Sequence, residues 1–309
     1  MARLMLLDTA ALYFRAFYGV PDSVRSPDGR PVNAVRGLLD IITRLTADFA
    51  PTHLVACWDD DWRPQWRVDL IPSYKAHRVA EEVTAGPDVE VVPDPLEAQV
   101  PIIRDVLTVL GIAIVGAPQH EADDVIGTLA STAAMPVDVV TGDRDLFQVV
   151  DDGRDVRVLY TGRGMARLEV LDEAAVVARY GVRPQQYADM ATLRGDPSDG
   201  LPGVAGIGEK SAAQLLDRYG DLAGILAAAA DPSSPMAATM RARLEAASAY
   251  LEVAPRVVEV VRDVALPPFD AALRPLDAGR RDALAALAAE HGLGTAVERV
   301  VKALDGAAS

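Results

Sequence analysis

Carboxylates flanked by small or apolar residues recur through the first two thirds of this 309-residue sequence. Asp8 follows the apolar run Leu4–Leu7 and Asp59 follows His53–Trp58; Glu121-Ala-Asp-Asp124, Gly142-Asp-Arg-Asp145 and Gly195-Asp-Pro-Ser-Asp199 come later. A single Asp at a strand end is ordinarily a helix cap or a partner of the helix dipole. Several at successive strand ends of one sheet are different. That edge gathers them, and carboxylates a few ångströms apart repel unless cations neutralise them. Oxygen donors without paired His or Cys favour Mg²⁺ or Mn²⁺ over zinc. The spacings agree: Glu121 and Asp124 share a helix face with Asp123 beside them, and Gly142 permits a tight turn before Asp143 and Asp145. Two ions ~4 Å apart activate water and stabilise the leaving oxygen of a phosphodiester, so no His base is needed. Only four His are present, and His120 is read as a supporting neighbour of Glu121.

Such residues meet only if a parallel sheet carries them. Residues 3–7, 53–58, 112–115 and 137–140 read as strands, and 32–49, 95–110 and 123–134 have helical period. This alternation predicts an α/β fold, a parallel sheet covered by helices, with chemistry at the carboxyl ends of the strands. From about Asp172 the strands stop and Ala-rich helical segments follow, including 185–194 and 211–219. The division expected is 1–183 for the α/β core and 184–309 for a helical region. Residues 60–95 fit neither pattern; a charged, proline-bearing connection of that length is usually functional or mobile.

Between helical segments lies Leu201-Pro-Gly-Val-Ala-Gly-Ile-Gly-Glu-Lys210. Its glycines, Gly203, Gly206 and Gly208, let a backbone approach phosphates, and the N–H groups from Lys210 and Ser211 at a helix start, with the Lys210 charge, supply donors. That points to DNA backbone. Net charge points the other way: 45 Asp and Glu exceed 30 Lys and Arg, giving −15, whereas nucleic-acid binders are usually basic. Acidity concentrated at one metal site removes the conflict, because bound cations reverse the local sign. The apolar start is too short for a secretory signal, and no apolar run is long enough to span a membrane. Cys57, the single cysteine, is expected to be buried and inert, which suits a reducing cytoplasm.

The carboxylate motifs and the Gly-rich hairpin, in this order and spacing, resemble the 5′-nuclease (flap endonuclease) superfamily, notably bacterial 5′–3′ exonucleases similar to the N-terminal domain of DNA polymerase I. The resemblance is strong over residues 3–220 and weak beyond. It implies an enzyme of DNA replication and repair that hydrolyses DNA at 5′ ends, flaps and nicks, RNA-primed ends included, as a stand-alone monomer. By the resemblance, Asp8, Asp59, Glu121 and Asp123 hold one ion, and a second draws on Asp124, Asp143, Asp145, Asp196 and Asp199, some of them through water. The hairpin resembles a helix–three-turn–helix (about 185–220) that binds duplex backbone and a K⁺ ion. Residues 60–95 resemble a helical arch for a single-stranded 5′ end, with Arg67 and Tyr74 at the DNA and with Lys75 and Arg78, three apart on one helix face, as catalytic cations.

The sequence departs from the family pattern at Thr9, where Gly is usual, and at Gly200, where Asn is customary. Ala205 replaces a common Lys. An extra residue between Asp59 and Arg67 leaves Asp60 as a competitor of Asp59. Other readings are weaker. A haloacid-dehalogenase-like phosphatase wants a second Asp where Ala10 stands. A non-catalytic branched-DNA module has no use for so many carboxylates, and a PIN-type ribonuclease lacks the hairpin and arch.

Overall fold

The computed structural model describes residues 2–83 and 86–307. Thr84 and Ala85, inside the expected arch, and the terminal residues of both expected domains lie outside that description. Strands β1 (Leu4–Asp8), β2 (His53–Cys57), β5 (Ala113–Val115), β6 (Val137–Thr141), β7 (Val156–Tyr160) and β8 (Glu169–Leu171) form one sheet in the order β5-β2-β1-β6-β7-β8. All pairs are parallel except β7 with β8. The chain runs outward from β1 to β5, then restarts on the other side at β6. The edge beside the carboxyl end of β1 is therefore the crevice where such sheets bind ligands.

Strand alternation sorts β1 between two cores. Leu4 and Leu6 pack with α6 (Ala122–Thr132) on one face; Met5 and Leu7 pack on the other with α2 (Asn33–Phe49) and α5 (Val100–Leu110). The first core continues into α8 (Tyr187–Arg194), α9 (Glu209–Tyr219) and α10 (Leu222–Ala230), so the helical region grows directly from the sheet layer. Helix α1 (Thr9–Gly19) starts immediately after Asp8, whose side chain accepts the Ala11 N–H at its N-terminus.

Most expected elements are present with shifted ends. The helix expected over 95–110 is two, α4 (Asp94–Glu97) and α5, separated at Ala98–Gln99. Strands β7 and β8 and helix α1 were not anticipated. The arch needs a larger correction. Residues 60–95 contain α3 (Gln65–Leu70), a 3-10 turn at Ala76–Arg78 and a two-stranded ribbon, β3 (Val79–Glu81) with β4 (Val89–Glu90). Pro64, Pro72, Pro87 and Pro93 punctuate this stretch and stop any long helix. Lys75 adopts a left-handed conformation, φ 48°, so Lys75 and Arg78 do not lie on a common α-helical face. The segment is held down by Arg63, which donates to the Tyr74 and Pro72 carbonyls and pairs with Asp88.

The last helices, α13 (Ala278–His291) and α14 (Gly294–Ala307), return to the core: Leu284, Ala296, Val297, Val300 and Leu304 bury against the α2 and α5 face. Residues from α11 (Ala238–Ala246) and α12 (Ser248–Val258) stay with α8–α10 and the 60–95 segment. Among the described residues no helix is long and apolar enough to cross a membrane. Leu304→Ala is expected to cost ~2–4 kcal/mol in denaturant unfolding by leaving a cavity under α2. The exposed Glu298→Ala should stay within about 0.5 kcal/mol of the parent.

Candidate active site

Five of the expected carboxylates line one cleft of about 300 Å³ at the carboxyl edge of the sheet: Asp8, Asp59, Glu121, Asp123 and Asp143. Each arrives by a different local device. Asp8 ends β1 and caps α1. Asp59 follows β2 and accepts the Ala122 N–H at 2.8 Å, tying it to the start of α6. Glu121 is the N-cap residue of α6, its backbone N–H donating to Asp124 at 3.3 Å, and Asp123 lies in that first turn. Asp143 follows β6, its N–H bonded to Thr141 Oγ1 at 2.8 Å; Thr141 donates in turn to Asp8 at 2.7 Å. Asp59, not Asp60, is the residue in the cleft: Asp60 is exposed and its carboxylate lies against Gly116.

Burial dominates the electrostatics. It drives the Asp8 carboxyl up to about 7, against the Thr141 hydrogen bond and with help from Asp59 and Asp143. Burial also lifts Asp123 well above the usual range, with repulsion from Asp8, Asp143 and Glu121 added. Asp59 is raised for the same first reason. Next to this group, Asp145 is pushed well up by burial and by Asp143, Asp199 and Asp196, and its Oδ1 is buried without a hydrogen-bond partner. Asp196 accepts the Ser198 N–H, and Asp199 pairs with Arg78 at 3.0 Å.

Cations oppose these acids from the 60–95 segment. Lys75 Nζ reaches Glu121 at 2.7 Å, and Arg78 reaches Asp199 and the Ser198 carbonyl. Trp62 and Glu90 complete that wall, while Phe14 and Arg15 of α1 form another. None of these last four was anticipated. Arg15 stands seven residues after Asp8 in a helix, hence two turns along one face, which is a signal legible in sequence. Gly200 acquires a reason: at φ 71° an added Cβ would run into the Ser73 carbonyl, where the arch segment crosses, and Ser73 Oγ donates to the Gly200 carbonyl.

Three expectations are corrected. Asp124 does not face the cleft; both of its oxygens are held by Arg67. Arg67 and Tyr74, expected at the DNA, are buried, and Tyr74 donates to Glu121 at 2.8 Å. They serve the acidic site from behind. In the hairpin between α8 and α9, Gly206, Gly208 and Lys210 are exposed, Ser211 is half-buried and Gly203 is buried. At Gly203, φ 64°, a Cβ would collide with the Arg194 carbonyl and the Gly195 nitrogen, so the turn needs glycine there. The Gly206 carbonyl accepts from Arg243 at 3.1 Å. Cys57 is buried, as expected.

An acidic crevice in a parallel sheet, faced by cations and joined to a helical hairpin, defines a nuclease of the 5′-nuclease class. Two family models match in succession: the 5′-3′ exonuclease N-terminal resolvase-like domain over residues 3–181 and the 5′-3′ exonuclease C-terminal SAM fold over 182–278. A 5′-3′ exonuclease of Streptomyces coelicolor is 62% identical over 302 residues, covering 97% of this chain and 99% of its own. One from Mycobacterium tuberculosis is 56% identical over 255 residues, 80% of each. A solved structure of the T5 D15 protein co-crystallised with metal ions superposes with TM-score 0.65 at 16% identity, covering 99% of this chain and 100% of that one. The chain belongs to the 5′–3′ exonuclease family and is a 5′-nuclease.

Among the described residues no group of three His, Cys, Asp or Glu stands in ion-holding geometry; Asp8, Asp59 and Asp143 rest instead on hydrogen bonds of their own. Two observations nonetheless fit hard divalent cations: an all-oxygen donor set and the buried, unpartnered Asp145 oxygen. Acids raised by burial bind protons more tightly folded than unfolded. Without metal, stability therefore falls as pH rises from about 4 through about 7. Melting curves in chelator should give a higher Tm at pH 5.5 than at pH 7.5, and Mg²⁺ or Mn²⁺ should raise Tm more at pH 7.5. A metal-free Tm that rises with pH across this window contradicts the assignment.

Proposed function

We propose that this 5′-nuclease hydrolyses DNA phosphodiesters at 5′ flaps, nicks and 5′ ends, including RNA-primed ones, in replication and repair, with two or more Mg²⁺ or Mn²⁺ ions. The observation that carries this is the single cleft holding Asp8, Asp59, Glu121, Asp123 and Asp143. Asp145, Asp196 and Asp199 adjoin it as the second set of ligands. Bound ions would supply the Lewis-acid charge that activates water and stabilises the leaving oxygen.

The chain's own residues do the rest. Lys75 and Arg78, tied to Glu121 and Asp199, stand over the cleft and can turn to a scissile phosphate as charge develops there. Arg15, beside Gly142, offers a third cation. Residues 1–183 carry the chemistry, and 184–309 hold the duplex through Gly206, Gly208, Lys210 and Ser211. Phosphate contact by exposed backbone N–H groups and Lys210 is sequence-independent. A K⁺ ion at this hairpin would share its carbonyls with Arg243. The active species is a cytoplasmic monomer, in keeping with the buried free Cys57 thiol.

The test is single-turnover cleavage and equilibrium binding on one 5′-flap substrate at matched salt. Asp123→Asn and Asp143→Asn should each abolish cleavage while branched-DNA binding largely survives, and near-normal turnover in both would sink the metal assignment. Lys75→Ala and Arg78→Ala should each slow the step by ~10²-fold, about 3 kcal/mol in the barrier. Their binding should change by less than ~10-fold. Rate and affinity falling by the same factor would make them ordinary binding contacts.

A further inference from the structure

One buried guanidinium joins three distant parts of the chain. Arg67 Nη1 and Nη2 donate to the two Asp124 oxygens at 2.9 and 2.7 Å, and its Nε donates to the Val257 carbonyl at 3.1 Å. Asp124 accepts further N–H groups from Val261 at 2.9 Å and from Glu121 at 3.3 Å. The same guanidinium lies 3.5 Å from Glu121 Oε1, the oxygen that Tyr74 also holds. Helix α3, the start of α6 and the end of α12 thus meet on one ion pair. Its side chains are only 3% and 0% exposed.

The Asp124 carboxylate is filled. Two guanidinium N–H groups and two backbone N–H groups account for its lone-pair directions, and His120 Nδ1 lies 3.3 Å from Oδ2 besides. Taking a metal ion would require releasing Arg67 and leaving a buried cation without its partner, which is strongly unfavourable. Glu121 differs: its carboxylate reaches the cleft, and its contacts come from side chains that line or border it.

We infer that Asp124 is not an ion ligand, and that Arg67 and Asp124 form a positioning pair which fixes the start of α6 and so aims the Glu121 carboxylate into the cleft. The pair also makes that aim depend on the 60–95 segment and on residues 257–261. This departs from the ligand role that the family resemblance implied for Asp124. It rests on the ion-binding reading above for its catalytic consequence only.

The decisive variant replaces both charges at once, Arg67→Met with Asp124→Leu, since exchanging a buried pair for apolar side chains of similar volume is often neutral for folding. Metal-free unfolding of the two single variants and the double should be non-additive, the double losing less than either single. Calorimetric titration should give the double variant as many bound Mn²⁺ ions as the parent. Its kcat should fall by ~10²-fold through misplacement of Glu121, with KM nearly unchanged, and Arg67→Lys should recover part of the loss. Losses that simply add in the unfolding cycle overturn the pair, and an unchanged kcat in the double variant overturns its aiming of Glu121.

If the variants fail to fold, anomalous scattering from the intact protein in Mn²⁺ answers instead. No ion should lie within ~2.5 Å of Asp124, and an ion there with Arg67 displaced overturns the pair. Absence of ions at Asp123 and Asp143 counts against the ion-binding reading alone, and the metal-free unfolding cycle then decides the pair.

Discussion

Packing like charges into a low-dielectric crevice is the constraint around which this molecule is arranged. Asp8, Asp59 and Asp123 are all raised above their ordinary range, burial being the first cause in each. A parallel sheet makes this gathering unavoidable once each strand ends in an acid, because neighbouring carboxyl ends are only about 5 Å apart. The fold tolerates the repulsion by three means. Some acids share hydrogen bonds with the backbone of the next element, some borrow cations from the 60–95 segment, and in others burial favours the neutral form.

The cations divide by depth. Arg67 is sealed and neutralises Asp124, whose carboxyl is held below the usual range: burial opposes this, but the Arg67 charge and the hydrogen bonds prevail. Lys75 and Arg78 are nearer solvent and hold Glu121 and Asp199 at the rim. A rim cation exchanges its carboxylate for a phosphate without crossing a hydrophobic barrier, whereas a sealed one cannot. Net negative charge and a nucleic-acid substrate are therefore compatible. Much of the acidity is placed where cations meet it.

The sheet and the acidic edge were legible because short continuous apolar runs, the mark of strands buried on both faces, and strand-end Asp residues are local signals. Residues 4–8, 53–57 and 137–141 needed nothing more. What escaped depended on distant partners. Strand β7, with Arg157 as its second residue, is stabilised through Asp138 of β6, which no window of sequence displays. The 60–95 segment owes its shape to Arg63, Pro72 and the crossing at Gly200. Spacing alone suggested that Lys75 and Arg78 share a helix, but the left-handed Lys75 breaks it. Asp124 looked like every other acid in its motif until Arg67, 57 residues earlier, was seen to hold it.

The central claim is that raised, partly protonated acids at the sheet edge are the ion site. Its most direct test is the proton balance of metal binding. Calorimetric Mn²⁺ titrations at pH 6.5, run in two buffers of different ionisation enthalpy, report protons released per ion. Asp8 at about 7 and Asp123, which burial raises well above its ordinary range, should surrender protons as ions bind. Tight Mn²⁺ binding with no proton release would contradict the account.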